Sequence, residues 1–164
     1  MKTTSLLLLI IAFLLCFSAA AVGSAATTPA ITGWYANLVK PSFSPPNWLF
    51  GPVWTALYIL MAIALWRVWE SKKKRNVKAK REAVIYFYVQ LILNSLWSIL
   101  FFALQSPAFA FVEILVLWAA IYMTVRKFFN VSVLAGWLLV PYILWVSFAA
   151  VLNFAVMLLN SFSS

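Results

Sequence analysis

The chain has 164 residues, a mean hydropathy of +1.00, 66% hydrophobic residues, 9% charged residues and a formal net charge of +9. So large an apolar share excludes a soluble fold of this size and implies an integral membrane protein. His is absent and Cys16 is the lone cysteine, which removes a disulfide framework, a thiolate metal cluster and the commonest general base.

A span needs about 20 mostly apolar residues. Five runs meet that need, and they predict an all-α, five-transmembrane-helix bundle forming a single domain over residues 1–164. The first run covers 5–26. Lys2, the apolar stretch and the small-residue segment SAAAVGSAA also fit a signal peptide, whereas the length of the run favours a retained span. Within it, Ala19 and Gly23 form one small-xxx-small spacing that suits a helix-dimer face.

A loop over 27–50 follows. The stretch NLVKPSFSPPNWLFGPVWTALY, residues 37–58, carries Pro41, Pro45, Pro46 and Pro52 among aromatic side chains. A solvated linker has no use for such rigidity, but a shaped cover does, because proline limits what the chain must lose on ordering. The second span is expected over 51–69, with Pro52 in its first turn. Trp54, Tyr58, Met61 and Leu65 share one helical face there.

The segment RVWESKKKRNVKAKRE places Arg67, Lys72, Lys73, Lys74, Arg75, Lys78, Lys80 and Arg81 between spans two and three. Arg126 and Lys127 mark a second basic loop on the same side, and Lys2 agrees with both. An excess of Lys and Arg marks the cytoplasmic side, so the N-terminus and both basic loops are expected in the cytoplasm of a plasma-membrane protein. This topology accounts for the charge without nucleic acid. The basic loop also offers a surface to anionic lipid headgroups. Trp66, Arg67 and Trp69 are expected as interfacial anchors.

Span three, over 83–104, aligns Gln90, Asn94, Trp97 and Phe101. Span four, over 107–125, opens at Ser106-Pro107 and contains Glu113, the one carboxylate well inside a span. An intramembrane acid is costly, so Glu113 is either a proton-coupled site or a partner for a nearby polar group. Asn130 and Ser132 are cap candidates for span five, over 132–159, which contains Pro141. Tyr142, Trp145, Ala149 and Asn153 share a face of that helix.

Three spans thus repeat one pattern of aromatic rings with a carboxamide. Polar groups facing lipid would go unpaired, so these side chains turn inward. They then serve either as glue between helices or as the lining of a pocket for a flat, largely apolar ligand. No Walker, Rossmann or zinc motif is present, and no nucleophile stands beside a base. The residues therefore point to a binder or carrier, with no metal and no required cofactor.

WYANLVKPSFSPPNWLFGPVWTALY, QLILNSLWSILFF and PYILWVSFAAVLNF together resemble the tryptophan-rich sensory protein and translocator protein family, over about residues 31–160. The resemblance implies a five-helix bundle, commonly a homodimer. It also implies binding of porphyrins such as protoporphyrin IX, and of isoquinoline- or benzodiazepine-type molecules, beneath the first loop. Carried over by motif, Trp34, Lys40, Pro41, Pro45 and Pro46 belong to that loop. Trp54, Tyr58, Asn94, Trp97, Trp145, Ala149 and Asn153 line the pocket, and Glu113 occupies a position that is often acidic. The resemblance further implies that Trp54 and Trp145 react with photo-excited porphyrin. The family's sterol-recognition pattern is broken here, since its Tyr is Phe154 and no basic residue follows. Only a loose match runs from Leu117 through Tyr122 to Arg126. Two other readings compete: a proton-coupled exporter built on Glu113, and a regulatory or structural membrane partner.

Overall fold

The computed structural model describes residues 3–71 and 77–161. Five of its helices are long and apolar enough to cross a membrane. The helices are α1 (Thr3–Ile31), a single short turn α2 (Trp34–Asn37), α3 (Asn47–Glu70), α4 (Val77–Ser98), α5 (Pro107–Val131) and α6 (Val133–Ser161). No strand occurs among the described residues. The expected five-helix membrane bundle is what forms. Lys2, Lys72, Lys73, Lys74 and Arg75 lie outside the described residues, and so does the middle of the basic loop.

The helix ends differ from the sequence expectation for identifiable reasons. α1 continues through Pro29 to Ile31, well past the expected residue 26. α3 begins at Asn47 rather than 51, because Pro46 adopts the extended backbone of an N-cap, with φ −62° and ψ 143°. Pro52 therefore stands inside α3 and not in its first turn. α4 starts at Val77, so Lys78, Lys80 and Arg81 are helical rather than in a loop.

The third span ends in a π-helical turn over Ile99–Ala103. The Leu104 amide donates to the Ile99 carbonyl at 2.8 Å. Gln105, at φ 51°, then reverses the chain into Ser106-Pro107. Of the two cap candidates before α6, Ser132 is the cap: its Oγ accepts from the Ala135 amide at 3.4 Å. Asn130 stays inside α5.

Neighbour contacts close the five long helices into a ring, in the order α1, α3, α6, α5, α4 and back to α1. The half of the ring nearest the basic segments is solid. Met61, Leu65, Val68, Phe87, Ile121, Phe128 and Leu139 fill it, with Phe87 stacked on Phe128 at 5.7 Å. Basic side chains border that end. Lys127 pairs with Glu82 at 2.6 Å, Lys80 donates to the Trp69 carbonyl, and the Arg67 guanidinium lies over the Trp66 ring. The Trp66 indole N–H donates to the Ser5 carbonyl at 3.1 Å and so ties α3 to the start of α1.

Ala19 and Gly23 do not form an external face. Both are buried within the bundle, and a Cβ added at Gly23 would stand 3.2 Å from Ser98 Oγ on α4. The small residues let α1 approach α4 inside one chain, so the dimer face expected at these two positions is corrected. Close approach between helices is what small residues provide in lipid.

Candidate functional site

The opposite half of the ring is hollow. A cavity of about 470 Å³ lies between α1, α3, the end of α4 and α6, beneath α2. α5 contributes nothing to its lining. Ser24 and Thr28 on α1, with Gly51 and Thr55 on α3, line the cavity and are also exposed, so it opens along the seam between those helices.

Aromatic rings form most of the wall. Trp54 leans on Tyr58, with centroids 5.7 Å apart, and meets Tyr142 edge-on at 6.2 Å. Trp145 stands edge-on to Phe50 at 5.8 Å. Trp97 stacks on Phe101 at 5.2 Å. The π-turn matters here. In an α-helix, consecutive residues diverge by about 100°. The wider turn lets both Phe101 and Phe102 reach the cavity.

The polar groups at the wall are mostly engaged. Asn153 Oδ1 accepts from the Trp97 indole at 3.1 Å, and its Nδ2 donates to the Pro107 carbonyl at 2.8 Å. Thr27 and Thr55 hydroxyls donate to the carbonyls of Gly23 and Gly51 on their own helices. The Trp145 indole N–H is buried with no hydrogen-bond partner among the described residues. No charged side chain lines the cavity. The wall therefore offers ring faces, a few hydroxyls and carboxamides, and no counter-ion.

The cover differs from the expected one. Tyr35 of α2 lines the cavity, as do Asn47, Trp48 and Phe50 at the start of α3. Desolvation raises the Tyr35 phenol above the ordinary tyrosine pKa, so the group stays neutral. Trp34, Pro41, Pro45 and Pro46 do not line the cavity. Trp34 instead packs edge-on against Phe101, with centroids 5.7 Å apart. The prolines shape the chain: the Ser44 amide donates to the Pro41 carbonyl at 3.0 Å to make a turn, and Pro46 caps α3. Three further contacts hold the loop down. Asn160 on α6 pairs with both backbone groups of Val39 at 3.0 Å, Lys40 stands over the Tyr35 ring at 4.6 Å, and Phe43 meets Phe148.

Of the inward-facing residues singled out in the sequence, Trp54, Tyr58, Asn94, Trp97, Phe101, Trp145, Ala149 and Asn153 line the cavity. Gln90 and Tyr142 do not; they lie deeper, in a hydrogen-bonded series behind Asn94. Glu113 also does not, because α5 stands behind the wall. It is 7% exposed, and neither of its oxygens has a partner among the described residues. The wall supplied by α1, namely Phe17, Ala20, Gly23, Ser24, Thr27, Thr28 and Ile31, was not anticipated. Its sequence signal is the run of small and hydroxyl residues at i, i+1, i+4 and i+5 late in the first span.

The family model described as TspO/MBR matches residues 12–159. The chain is 45% identical to "Tryptophan-rich protein TspO" of Chlorobaculum tepidum over 146 residues, covering 89% of this chain and 91% of that protein. It is 37% identical to "Protein CrtK" of Rhodobacter capsulatus over 156 residues, covering 95% and 94%. It is 38% identical to the human "Translocator protein" over 123 residues, covering 75% and 72%.

Proposed function

This chain belongs to the TspO/MBR family, and on that premise we propose that it binds flat, largely apolar molecules of the porphyrin class in the cavity bounded by α1, α3, α4 and α6. The observation that carries this reading is an uncharged, indole-walled space of about 470 Å³. That volume lies within the range of small-molecule sites, and burying ring faces against indoles is what such a wall does best. Isoquinoline- and benzodiazepine-type molecules suit the same surface. A bound porphyrin meets Trp54 and Trp145, so light-driven oxidation of the ligand beside these indoles, with dissolved dioxygen as the oxidant, needs no acid or base. The protein acts as a receptor or carrier in the plasma membrane, with the basic end of the bundle in the cytoplasm and the loop over the cavity outside. A homodimer of this chain uses a face other than Ala19 and Gly23.

Titration of protoporphyrin IX in detergent, followed by tryptophan fluorescence, tests the reading. Ala149 borders the cavity, so Ala149→Phe fills it and should weaken binding by about tenfold or more. The Trp54→Phe, Trp145→Phe double variant should bind more weakly, read from the quenching of the remaining indoles, Trp48 and Trp97 among them. Unchanged affinity in both variants refutes this site.

A further inference from the structure

Four buried side chains from three helices join in series at the floor of the cavity. The Tyr58 hydroxyl on α3 donates to Asn94 Oδ1 on α4. Asn94 Nδ2 donates to Tyr142 Oη on α6 at 3.0 Å. The Tyr142 hydroxyl donates to Gln90 Oε1 on α4 at 2.9 Å. Tyr58 and Asn94 line the cavity, whereas Tyr142 and Gln90 do not.

In this order the bonded hydrogens of the series run away from the cavity, and at Tyr58 the hydroxyl has a lone pair rather than its hydrogen to offer a ligand. The series also ends badly. Gln90 is 1% exposed, and its Nε2 has no partner among the described residues. An unpaired buried N–H group is rarer in folded proteins than an under-satisfied carbonyl.

The same heavy atoms support the reverse order. A carboxamide presents nitrogen and oxygen in one outline, and a phenol rotates its hydrogen freely. Gln90 Nε2 then donates to Tyr142, Tyr142 to Asn94, and Asn94 to Tyr58. The Tyr58 hydrogen is left to face the cavity. The orphan at the far end becomes a carbonyl oxygen. In a low-dielectric interior each bond polarises the next, so the series acts as a unit.

We propose that Gln90 lets this relay run in either direction, so that the cavity takes flat apolar ligands whose edge at Tyr58 carries either a hydrogen-bond donor or an acceptor. The inference rests on the cavity being a ligand site, and it adds which chemistry the floor reads and which residue decides it. Gln90 is a positioning residue: it acts through Tyr142 and Asn94 and touches no ligand. An aliphatic side chain at position 90 removes one of the two orders. Within the series, Asn94 Oδ1 is then the one acceptor left for the Tyr142 hydrogen, which turns Asn94 Nδ2 onto Tyr58 and frees the Tyr58 hydrogen for a ligand. A donor ligand would have to reverse this and leave the Tyr142 hydroxyl buried and unpaired.

Three flat tricyclic probes separate the cases. Carbazole carries an N–H donor, fluorenone carries a carbonyl acceptor, and fluorene carries neither. Their Kd values are measured on the intact protein in detergent by quenching of tryptophan fluorescence. In the unchanged protein, carbazole and fluorenone should both bind more tightly than fluorene. In Gln90→Leu the ratio of the carbazole Kd to the fluorenone Kd should rise about tenfold, the scale of one buried hydroxyl left unpaired. Gln90→Ile, a second side chain with no hydrogen-bonding atom, should give the same rise and guards against a folding defect in the first variant. Tyr58→Phe should abolish the advantage of both polar probes over fluorene. A ratio unmoved by both Gln90 variants, with all three probes still bound, overturns the relay and leaves the cavity as a ligand site. Failure of all three probes to bind the unchanged protein overturns the ligand site and the relay with it.

Discussion

Asn153 ties three helices with one side chain, which makes its removal a direct measure of what holds the cavity in shape. It lies on α6, is 2% exposed, accepts from Trp97 on α4 at 3.1 Å and donates to the first carbonyl of α5 at 2.8 Å. Asn153→Leu keeps an apolar shape of similar size and deletes both bonds. Hydrogen bonds between helices in lipid contribute about 0.6 kcal/mol on average and about 1.7 at most. Two of them, with the Trp97 N–H left unpaired, predict a loss of about 1–3 kcal/mol. The assay is reversible unfolding in mixed micelles, run as a double-mutant cycle with Trp97→Phe. The cycle should return a coupling of about 0.6–1.7 kcal/mol. Because Trp97 lines the cavity, the single Asn153 variant should also bind porphyrin less tightly. If Asn153→Leu lies within about 0.5 kcal/mol of the unchanged protein and the cycle is additive, the bond does not tie the bundle and this reasoning fails.

Gly136→Ala should destabilise the bundle by about 1–3 kcal/mol, read as a lower melting temperature in detergent, because the new Cβ falls 2.4 Å from the Phe129 ring. Adding Phe129→Ala, which removes the clashing ring atoms, should make the further loss caused by Gly136→Ala disappear in a double-mutant cycle. Asn160→Ala should release the loop over the cavity. The Val39 amide, which donates to Asn160 Oδ1 at 3.0 Å, should then exchange its hydrogen about tenfold faster, while amides in the solid half keep their rates.

Helix number and order were legible because each span is long and apolar on all sides, a signal that does not depend on packing. The inward aromatic and amide positions on spans two, three and five were legible from helical spacing. Depth was not. Tyr142 shares a face with Trp145, Ala149 and Asn153, yet it sits nearly a turn below Trp145 and joins Gln90 in the floor instead of the wall. The part of α1 was hidden because Gly23, Ser24 and Thr28 look like packing residues until the neighbouring helices stand back from them. The π-turn left no local mark, since Ile99 to Ala103 also suit an ordinary helix. It becomes visible only where Phe101 and Phe102 face the same space. Glu113 was conspicuous by its charge, but one acid on a helix behind the wall says little about a ligand in front of it.

α1, one of the helices that wall the cavity, precedes α3 and α4, its packing partners, in chain order. A first helix that enters the bilayer ahead of its partners has its future inner surface against acyl chains. The α1 hydroxyls make that exposure tolerable: Thr27 is bonded to the Gly23 carbonyl, and Ser24 and Thr28 face each other at 3.4 Å. Both arrangements are internal to α1 and need no partner helix. Because these bonds stay within the segment, one hydroxyl of the Ser24–Thr28 pair is left with a hydrogen to offer the cavity once the bundle closes. A side of the pocket is thus prepared before the pocket exists.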